Sequence, residues 1–594
     1  MVLLLILLSA LLISVTTTRP RVYVPVAVCA WVVGIAACTL MLRALGLLSV
    51  GVLQIASIVI LAVLIGVLWK RRSLVRLPRH LWVPTAAVAL VVGVVATQFA
   101  SVHVSYTGPV STTTATSYVV DDTYLYPLFS DEWVTLGIAT HVLRDGMPFS
   151  ENPFTGKPYV NVLVAFQSFV TGVLGGSGIA FPTAYVLLAV LIGTLTVGLI
   201  GILLASFRVP FGFVLLGMIA VPFVVNGANL PMLWYLLPWN VSFIFLVSTI
   251  VLLIERYNRL SLLVGVLAIL LYPPMIVFVV PIFCAYLFFN QSRVERKHLL
   301  MYGGGAIAAG AVFFTVTLLV SGVPFVRAFE YVSNFIVRPR GESVHMAPPF
   351  YVWQVIPIAL VPFVFYSFFI EGKKIWYLRT PVVIGLVGWA IFSVSPKFLI
   401  IDYYRVVAIT ALLLVPLGSI AVADVWNRLT QRFPLPYYHQ LSIVLVGVLL
   451  IVSVVLVPGY ATQDRWRQFS VELPSSGTEQ LVAEPAAPVN RHLHADDIAL
   501  FKTLSGERFI APAWKGLLLG ALTNNDPLFT KTSTLTVKTV PYEDFIAADC
   551  VKKEEIVKRF HVTYVYGEKI NCPGYVSTAV SAEGLHLSRI TLAN

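Results

Sequence analysis

Two kinds of residue in this chain are placed to do chemistry: an acidic cluster, and a few cations near the ends of apolar runs. The segment 121–158 reads DDTYLYPLFSDEWVTLGIATHVLRDGMPFSENPFTGKP. Its Asp121, Asp122, Asp131, Glu132, Asp145 and Glu151 are six of the 13 acids that precede residue 459. A positioned carboxylate can take the proton from a hydroxyl and make it a nucleophile; the bland alternative is a helix cap. The best cation is Arg405, in SPKFLIIDYYRVV, with Lys397 ahead of it and Asp402, Tyr403 and Tyr404 beside it. A guanidinium grips a phosphate through parallel N–H donors. The alternative is a structural Asp402–Arg405 pair with the tyrosines in an aromatic belt. Arg338 and Arg340 flank Pro339 and fit either a phosphate clamp or lipid headgroup contacts. Tyr272, followed by Pro273 and Pro274, either lines a cavity or breaks a helix.

The elements that must position these residues are set by composition. Of 594 residues, 58% are hydrophobic and 11% charged, and the mean hydropathy is +0.87. A soluble chain carries about 25% charge, so a cytosolic enzyme, a secreted domain and a disordered scaffold are excluded. A polytopic membrane protein remains. The formal net charge is +12, divided as +13 over 1–458 and −1 over 459–594. The basic excess therefore belongs to loops between apolar runs, where it marks the cytoplasmic side. It forms no dense patch of the kind that binds nucleic acid.

Runs of bilayer length, about 20 residues, predict some fourteen spans between residues 2 and 458. The pair 260–272 and 274–289 is short and interrupted at the prolines. Alternate loops hold 18 and 8 of the Lys and Arg residues. The richer set, from Arg19 to Arg432, is read as cytoplasmic. The N-terminus, the loop 101–180, the loop 322–350 and the region 459–594 are then extracytoplasmic. The first span lacks a basic leader and a small-residue cleavage site and is read as retained.

From Asp131 the pattern becomes helical, with Trp133, Ile138, His141 and Val142 on one side and Gly146 and Pro148 ending it. Ser130 is an N-cap candidate, and Asp131 and Glu132 suit the positive end of the helix dipole. Residues 160–176 are apolar but contain Gln167, and read as a helix lying in the outer interface. Gly303, Gly304 and Gly305 lie in an apolar run and read as helix packing, since no Lys-Ser/Thr follows. The last span is read at 441–458; beyond it a linker at 474–495 leads into alternating helices and strands, with one strand at 533–540, which suggest a small α/β domain. His492 and His494 read as solvated. Cys29, Cys38 and Cys284 fall in spans, whereas Cys550 and Cys572 fall on the oxidising side and are expected to form a disulfide.

The acidic pair, a helix with Ala139 near its middle, Gly146, a short Pro-containing loop and Lys157-Pro158 before the next span resemble the first external loop of GT-C glycosyltransferases. The nearest likeness is to protein O-mannosyltransferases and the lipid A aminoarabinose transferases. The likeness implies a helical polytopic fold of about fourteen transmembrane helices with a small extracytoplasmic α/β domain. It divides the chain into extra N-terminal helices at 1–80, a GT-C-like domain at 81–458 and the external domain at 459–594.

The resemblance implies transfer of a sugar from a polyprenyl-phosphate donor to an extracytoplasmic acceptor (a glycan, lipid or protein), with inversion. Asp131 would be the base, and Glu132, the second acid of the catalytic pair, a substrate or structural partner. Arg405, Lys397, Tyr404, Arg338, Arg340 and Tyr272 would be substrate contacts. One carboxylate suffices, because the leaving phosphate needs no general acid, unlike glycoside hydrolysis. In the oligosaccharyltransferase branch a divalent cation joins such acids, which makes Asp121 and Asp122 candidate ligands. The loop 226–231, NGANLP, has no acid to complete that set, so a metal is disfavoured and no other cofactor is expected. The rival readings are a transporter or lipid flippase, which predicts internal repeats and mid-membrane charge, and a non-catalytic assembly protein on the same scaffold.

Overall fold

The computed structural model describes residues 2–15, 19–70, 82–104, 118–120, 130–152, 157–158, 160–224, 235–289, 293–321, 355–394, 403–432, 492–528, 542–581 and 583–591, with single residues between them. Most of this is helix. In chain order the helices are α1 (Val2–Val15), α2 (Pro20–Ala44), α3 (Val50–Lys70), α4 (Trp82–Val104), α5 (Ser130–Arg144), α6 (Val164–Ser177), α7 (Phe181–Ser206), α8 (Phe211–Ala220) and α9 (Pro238–Ile254). There follow α10 (Asn258–Leu271), α11 (Ile276–Phe289), α12 (Arg293–Ser321), α13 (Val361–Ser367), α14 (Trp376–Val394) and α15 (Tyr403–Arg432).

Among the described residues, four helices are long and apolar enough to cross a bilayer: Pro20–Ala44, Val50–Lys70, Phe181–Ser206 and Arg405–Arg432. The exposed apolar residues say what surrounds them. Ile55, Ile58, Val59, Ile60, Val63, Ile65 and Trp69 all lie open on α3. Water would not tolerate such a patch on one helix, and lipid would. The chain is a membrane protein. Helices α10 and α11 have 14 residues each, about 21 Å of rise, and each is shorter than the roughly 30 Å apolar layer. A short turn at Pro273–Met275 joins them.

Two helices form the centre of the bundle. Every residue of α9 is buried, and so is 406–421 of α15. Helix α6 corrects the expectation of an interfacial helix at 160–176. Phe166 through Gly176 are all buried, so no face is left for a membrane surface. The reason is its small residues. A Cβ on Gly172 would collide with Thr39 and Ile35 of α2, and one on Gly175 would stand 2.5 Å from Leu53 Cδ1 of α3. Close backbone approach between apolar helices needs such positions. Gln167 does not face headgroups either: its Oε1 accepts from Asn161 Nδ2 at 2.6 Å.

The C-terminal region is a small α/β unit. Its helices are α16 (Ala495–Lys502), α17 (Ala513–Leu522), α18 (Tyr542–Ala547) and α19 (Cys550–Phe560). With β1 (Tyr118–Val120), β2 (Glu151–Asn152) and β3 (Lys157–Pro158) counted in the loop, the region's strands are β4 (His492–His494), β5 (Arg508–Ile510), β6 (Asp526–Pro527), β7 (Tyr564–Gly567), β8 (Tyr575–Val580) and β9 (His586–Ile590). The sheet order is β6-β5-β7-β9-β8, parallel across β6, β5 and β7 and antiparallel beyond. Asp549 caps α19 by accepting from Lys552 N–H at 2.8 Å, and His561 ends it in the left-handed region. Strand β8 has no counterpart in the sequence reading: its residues are mostly open, so no buried alternation marks it. The strand expected at 533–540 and the linker at 474–495 lie wholly or largely outside the described residues, as do the span at 441–458 and the acid-free loop 226–231.

Cys550 and Cys572 are joined by a disulfide across a separation of 22 residues. The bridge ties the start of α19 to the loop before β8. Closing a loop of that length stabilises by about 3 kcal/mol on the chain-entropy scale. Replacing both cysteines by serine is expected to lower the unfolding free energy of this region by that amount. Thermal denaturation of the purified protein, with and without reductant, measures it; reductant should shift the wild type and leave the serine variant unmoved.

Candidate active site

Helix α5 carries the candidate chemistry, and its amphipathic sequence decides how it is held. Glu132 through Val142 are buried except Val134, whereas Asp131 stands at the rim with 41% of its side chain exposed. The two adjacent acids therefore part. Glu132 is fully buried. Its Oε1 accepts from the Leu236 backbone N–H at 2.7 Å, just ahead of α9. That amide lies one residue ahead of the N-cap Leu237, near the positive end of the helix dipole, which favours an anion. Beside it the Tyr185 hydroxyl donates to the Leu236 carbonyl at 2.8 Å. The Leu237 N–H is in turn held by Asn240 Oδ1 at 3.0 Å. Glu132 thus fastens α5 to α9.

Asp131 faces the other way. Its Oδ2 lies 3.7 Å from Arg405 Nη2, at the start of α15. The guanidinium also sits over the Tyr272 ring, 5.8 Å from its centroid, within the range of a cation–π contact. Tyr272 is itself buried. Three residues far apart in sequence meet at one point. They come from the loop helix, the turn between the two short helices and the start of the central helix α15.

The remaining candidates cannot be placed. Asp121, Asp122, Arg338, Arg340 and Lys397 lie outside the described residues, as do Asp402 and the Tyr404 side chain. Lys157 and Pro158 form β3, paired antiparallel with β2. Gly146 takes φ +64°, a left-handed turn that glycine adopts without strain. The loop is pinned there by Arg43 Nε donating to the Met147 carbonyl at 3.2 Å.

At the far end of α5 is a cluster that the sequence reading did not single out. His141 Nδ1, Asp145 and Asp526 bring ligand atoms within 4.8 Å of one another. Arg144 fills the place a cation would take. Its Nη2 lies 3.0 Å from His141 Nδ1, 2.6 Å from Asp145 Oδ2 and 3.0 Å from Asp526 Oδ1. Burial alone would raise the Asp145 carboxyl, but hydrogen bonds from His141 and Arg144, with the Arg144 charge, outweigh it and hold it well below the carboxylate range. The cluster is built as a latch between protein groups. No spacing rule links Asp526 to α5 across the chain, so nothing in the sequence could have found it. His494, expected to be solvated, is partly buried and pairs with Glu583 at 3.0 Å, whose other oxygen meets Nζ of the fully buried Lys515 at 2.6 Å.

The fold and site define a helical membrane protein with a carboxylate and a guanidinium meeting at one end of the bundle. Comparison with solved structures finds likenesses to the oligosaccharyltransferase of the archaeon Archaeoglobus fulgidus. The apo form is 14% identical with a TM-score of 0.47, over 82% of this chain and 70% of that one. The same archaeon's AglB with an inhibitory peptide and a dolichol-phosphate is 12% identical, TM-score 0.47, over 82% and 70%. The enzyme's complex with Zn and sulfate is 12% identical, TM-score 0.43, over 84% and 73%. No family model matches the chain, and no curated protein matches it.

Proposed function

We propose that the protein is an integral-membrane glycosyltransferase of the GT-C type, moving a sugar from a polyprenyl-phosphate donor to an extracytoplasmic acceptor with inversion. The observation that carries this reading is the meeting of Asp131 and Arg405 at 3.7 Å, beside the Tyr272 ring. At that distance each charge offsets the other. A donor phosphate takes over the guanidinium through charge-assisted hydrogen bonds. Asp131 is then free to accept the proton of the acceptor hydroxyl as that oxygen attacks the anomeric carbon. The C–O bond to phosphate breaks, and the lipid phosphate leaves with the bonding pair. Glu132 serves this site from behind, as the anchor of α5, since its burial keeps it from any substrate.

The same reading carries the fourteen-span layout, with the N-terminus and the region 459–594 on the extracytoplasmic side as the lysine and arginine distribution indicates. It keeps Lys397, Tyr404, Arg338 and Arg340 as substrate contacts. It takes the chain as three parts, 1–80, 81–458 and 459–594. It gives Asp121 and Asp122 no metal.

The test is a transfer assay with purified protein in lipid, a panel of labelled polyprenyl-phosphate sugars and an extract of cell-envelope acceptors. Label should pass to acceptor with inverted anomeric configuration. Movement of intact donor across the bilayer without transfer would favour the flippase instead and sink the enzyme.

A further inference from the structure

We propose that Arg144 is a positioning residue: it latches the C-terminal α/β region onto α5 and so fixes the helix that carries Asp131. This rests on the glycosyltransferase reading and extends it to a part of the chain that has no role there.

Two independent contacts carry the proposal, one on each side of the base. Ahead of α5, β1 pairs in parallel with β4, in the register Tyr118 with His492, Val119 with Leu493 and Val120 with His494. Strand β4 runs straight into α16, whose Asp497 accepts from the Tyr566 hydroxyl at 2.6 Å. The strand pair is thus bonded to the sheet of the C-terminal unit. At the other end of α5, Arg144 donates to the Thr523 carbonyl at 3.2 Å and to Asp526 Oδ1 at 3.0 Å. Both acceptors lie just after α17. Between these ties, Leu517, Leu518 and Leu519 of α17 share one buried cluster with Trp133, Leu136, Ile138, Ala139 and Val142 of α5.

Helix α5 is therefore held between two bodies: the bundle, through Glu132, and the C-terminal unit, through Arg144. Asp131 and Arg144 stand about 20 Å apart along one rigid helix. The Glu132 anchor fixes a point next to Asp131, and packing against α6 and α17 holds the body of the helix. The latch fixes the distal end and with it the remaining tilt. It matters because a carboxylate off line by about 1 Å can cost about 10²-fold in rate.

A surface ion pair would contribute little. This one is a partly buried fork, with Arg144 23% exposed and Asp526 33%. Its worth lies in direction, since a guanidinium bound to a carboxylate and a carbonyl at once fixes the angle of approach.

The test uses the full-length protein in lipid, with Arg144→Ala, Arg144→Lys, Asp526→Ala and the Arg144→Ala/Asp526→Ala double variant. A positioning role predicts kcat lower by about 10–100-fold, with KM for the donor within about twofold of wild type. Arg144→Lys, which keeps one donor for Asp526, should fall between. The double variant should lose little more than either single one, because the two residues act as a unit. Hydrogen exchange gives a reading that needs no activity. Amides of 118–120, 131–144 and 492–494 should exchange faster in Arg144→Ala, while those of α9 stay unchanged. Wild-type kcat in both single variants would overturn the proposal, as would losses that simply add or exchange unaltered from wild type. Faster exchange in a protein that transfers no sugar would instead keep the latch and overturn the glycosyltransferase reading.

Discussion

On the glycosyltransferase reading, Asp131→Asn is expected to lower kcat for sugar transfer by about 10²–10⁴-fold, in a protein that folds and still binds its donor. The substitution keeps the size of the side chain and removes its ability to hold a proton, and general-base catalysis is commonly worth that factor. Folding survives because Asp131 sits at the rim of α5, 41% exposed, and the helix is fastened by Glu132, whose bond to Leu236 N–H is untouched. Donor binding should hold or tighten, since Arg405 loses its resident carboxylate and meets the phosphate without competition. Turnover of labelled donor and donor-dependent thermal stabilisation, measured on the same preparation, separate these effects. Equal turnover by variant and wild type sinks the assignment of the base. Loss of both turnover and donor binding makes Asp131 structural.

Arg405→Ala acts on the other half of the pair and is expected to change KM for the donor rather than kcat alone. Hydrogen bonds to a charged group are worth about 1.5–3 kcal/mol, which corresponds to roughly 10–150-fold weaker donor binding. Arg405→Lys keeps the charge but loses the planar fork and the seat over Tyr272, so it should recover part of the loss. Donor titrations in the transfer assay read this directly, and varying the salt adds a check. The wild-type KM should rise with ionic strength, and that of the alanine variant should rise less. An unchanged donor KM in Arg405→Ala would remove Arg405 from the donor site and leave it as the partner that orients Asp131.

The two variants also separate the rival classes. A transporter would lose binding with Arg405 and gain nothing from a base, so Asp131→Asn would leave movement of donor intact. A non-catalytic scaffold would be indifferent to both.

Much of this is legible in the amino-acid sequence. The run structure and charge of residues 1–458 specify a membrane protein, because an apolar stretch with so few charges has no stable place in water. The helix from Ser130 to Arg144 could be read from its periodicity, Gly146 and Pro148. The Cys550–Cys572 pairing could be read from the alternation of the loop charges, which leads one to expect both cysteines in an oxidising compartment. Helix α6 was misread for a physical reason. An apolar segment with glycines and one glutamine looks the same whether it lies on a membrane or is wrapped by α2, α3 and α5, and the difference is made by neighbours.

What the sequence by itself determined is local: periodicity, caps, hydropathy and the side on which the charges gather. These follow from interactions within a few residues or with the solvent. Tertiary structure alone decided which of two adjacent acids faces the site. Asp131 and Glu132 differ by one step of about 100° around the helix, and only the packing of α5 against α6, α7 and α17 turns the first toward Arg405 and buries the second. It alone joined Arg144 to Asp526, and β1 to β4. Such contacts close very long loops, whose cost grows only with the logarithm of their length, so no regular spacing in the chain announces them.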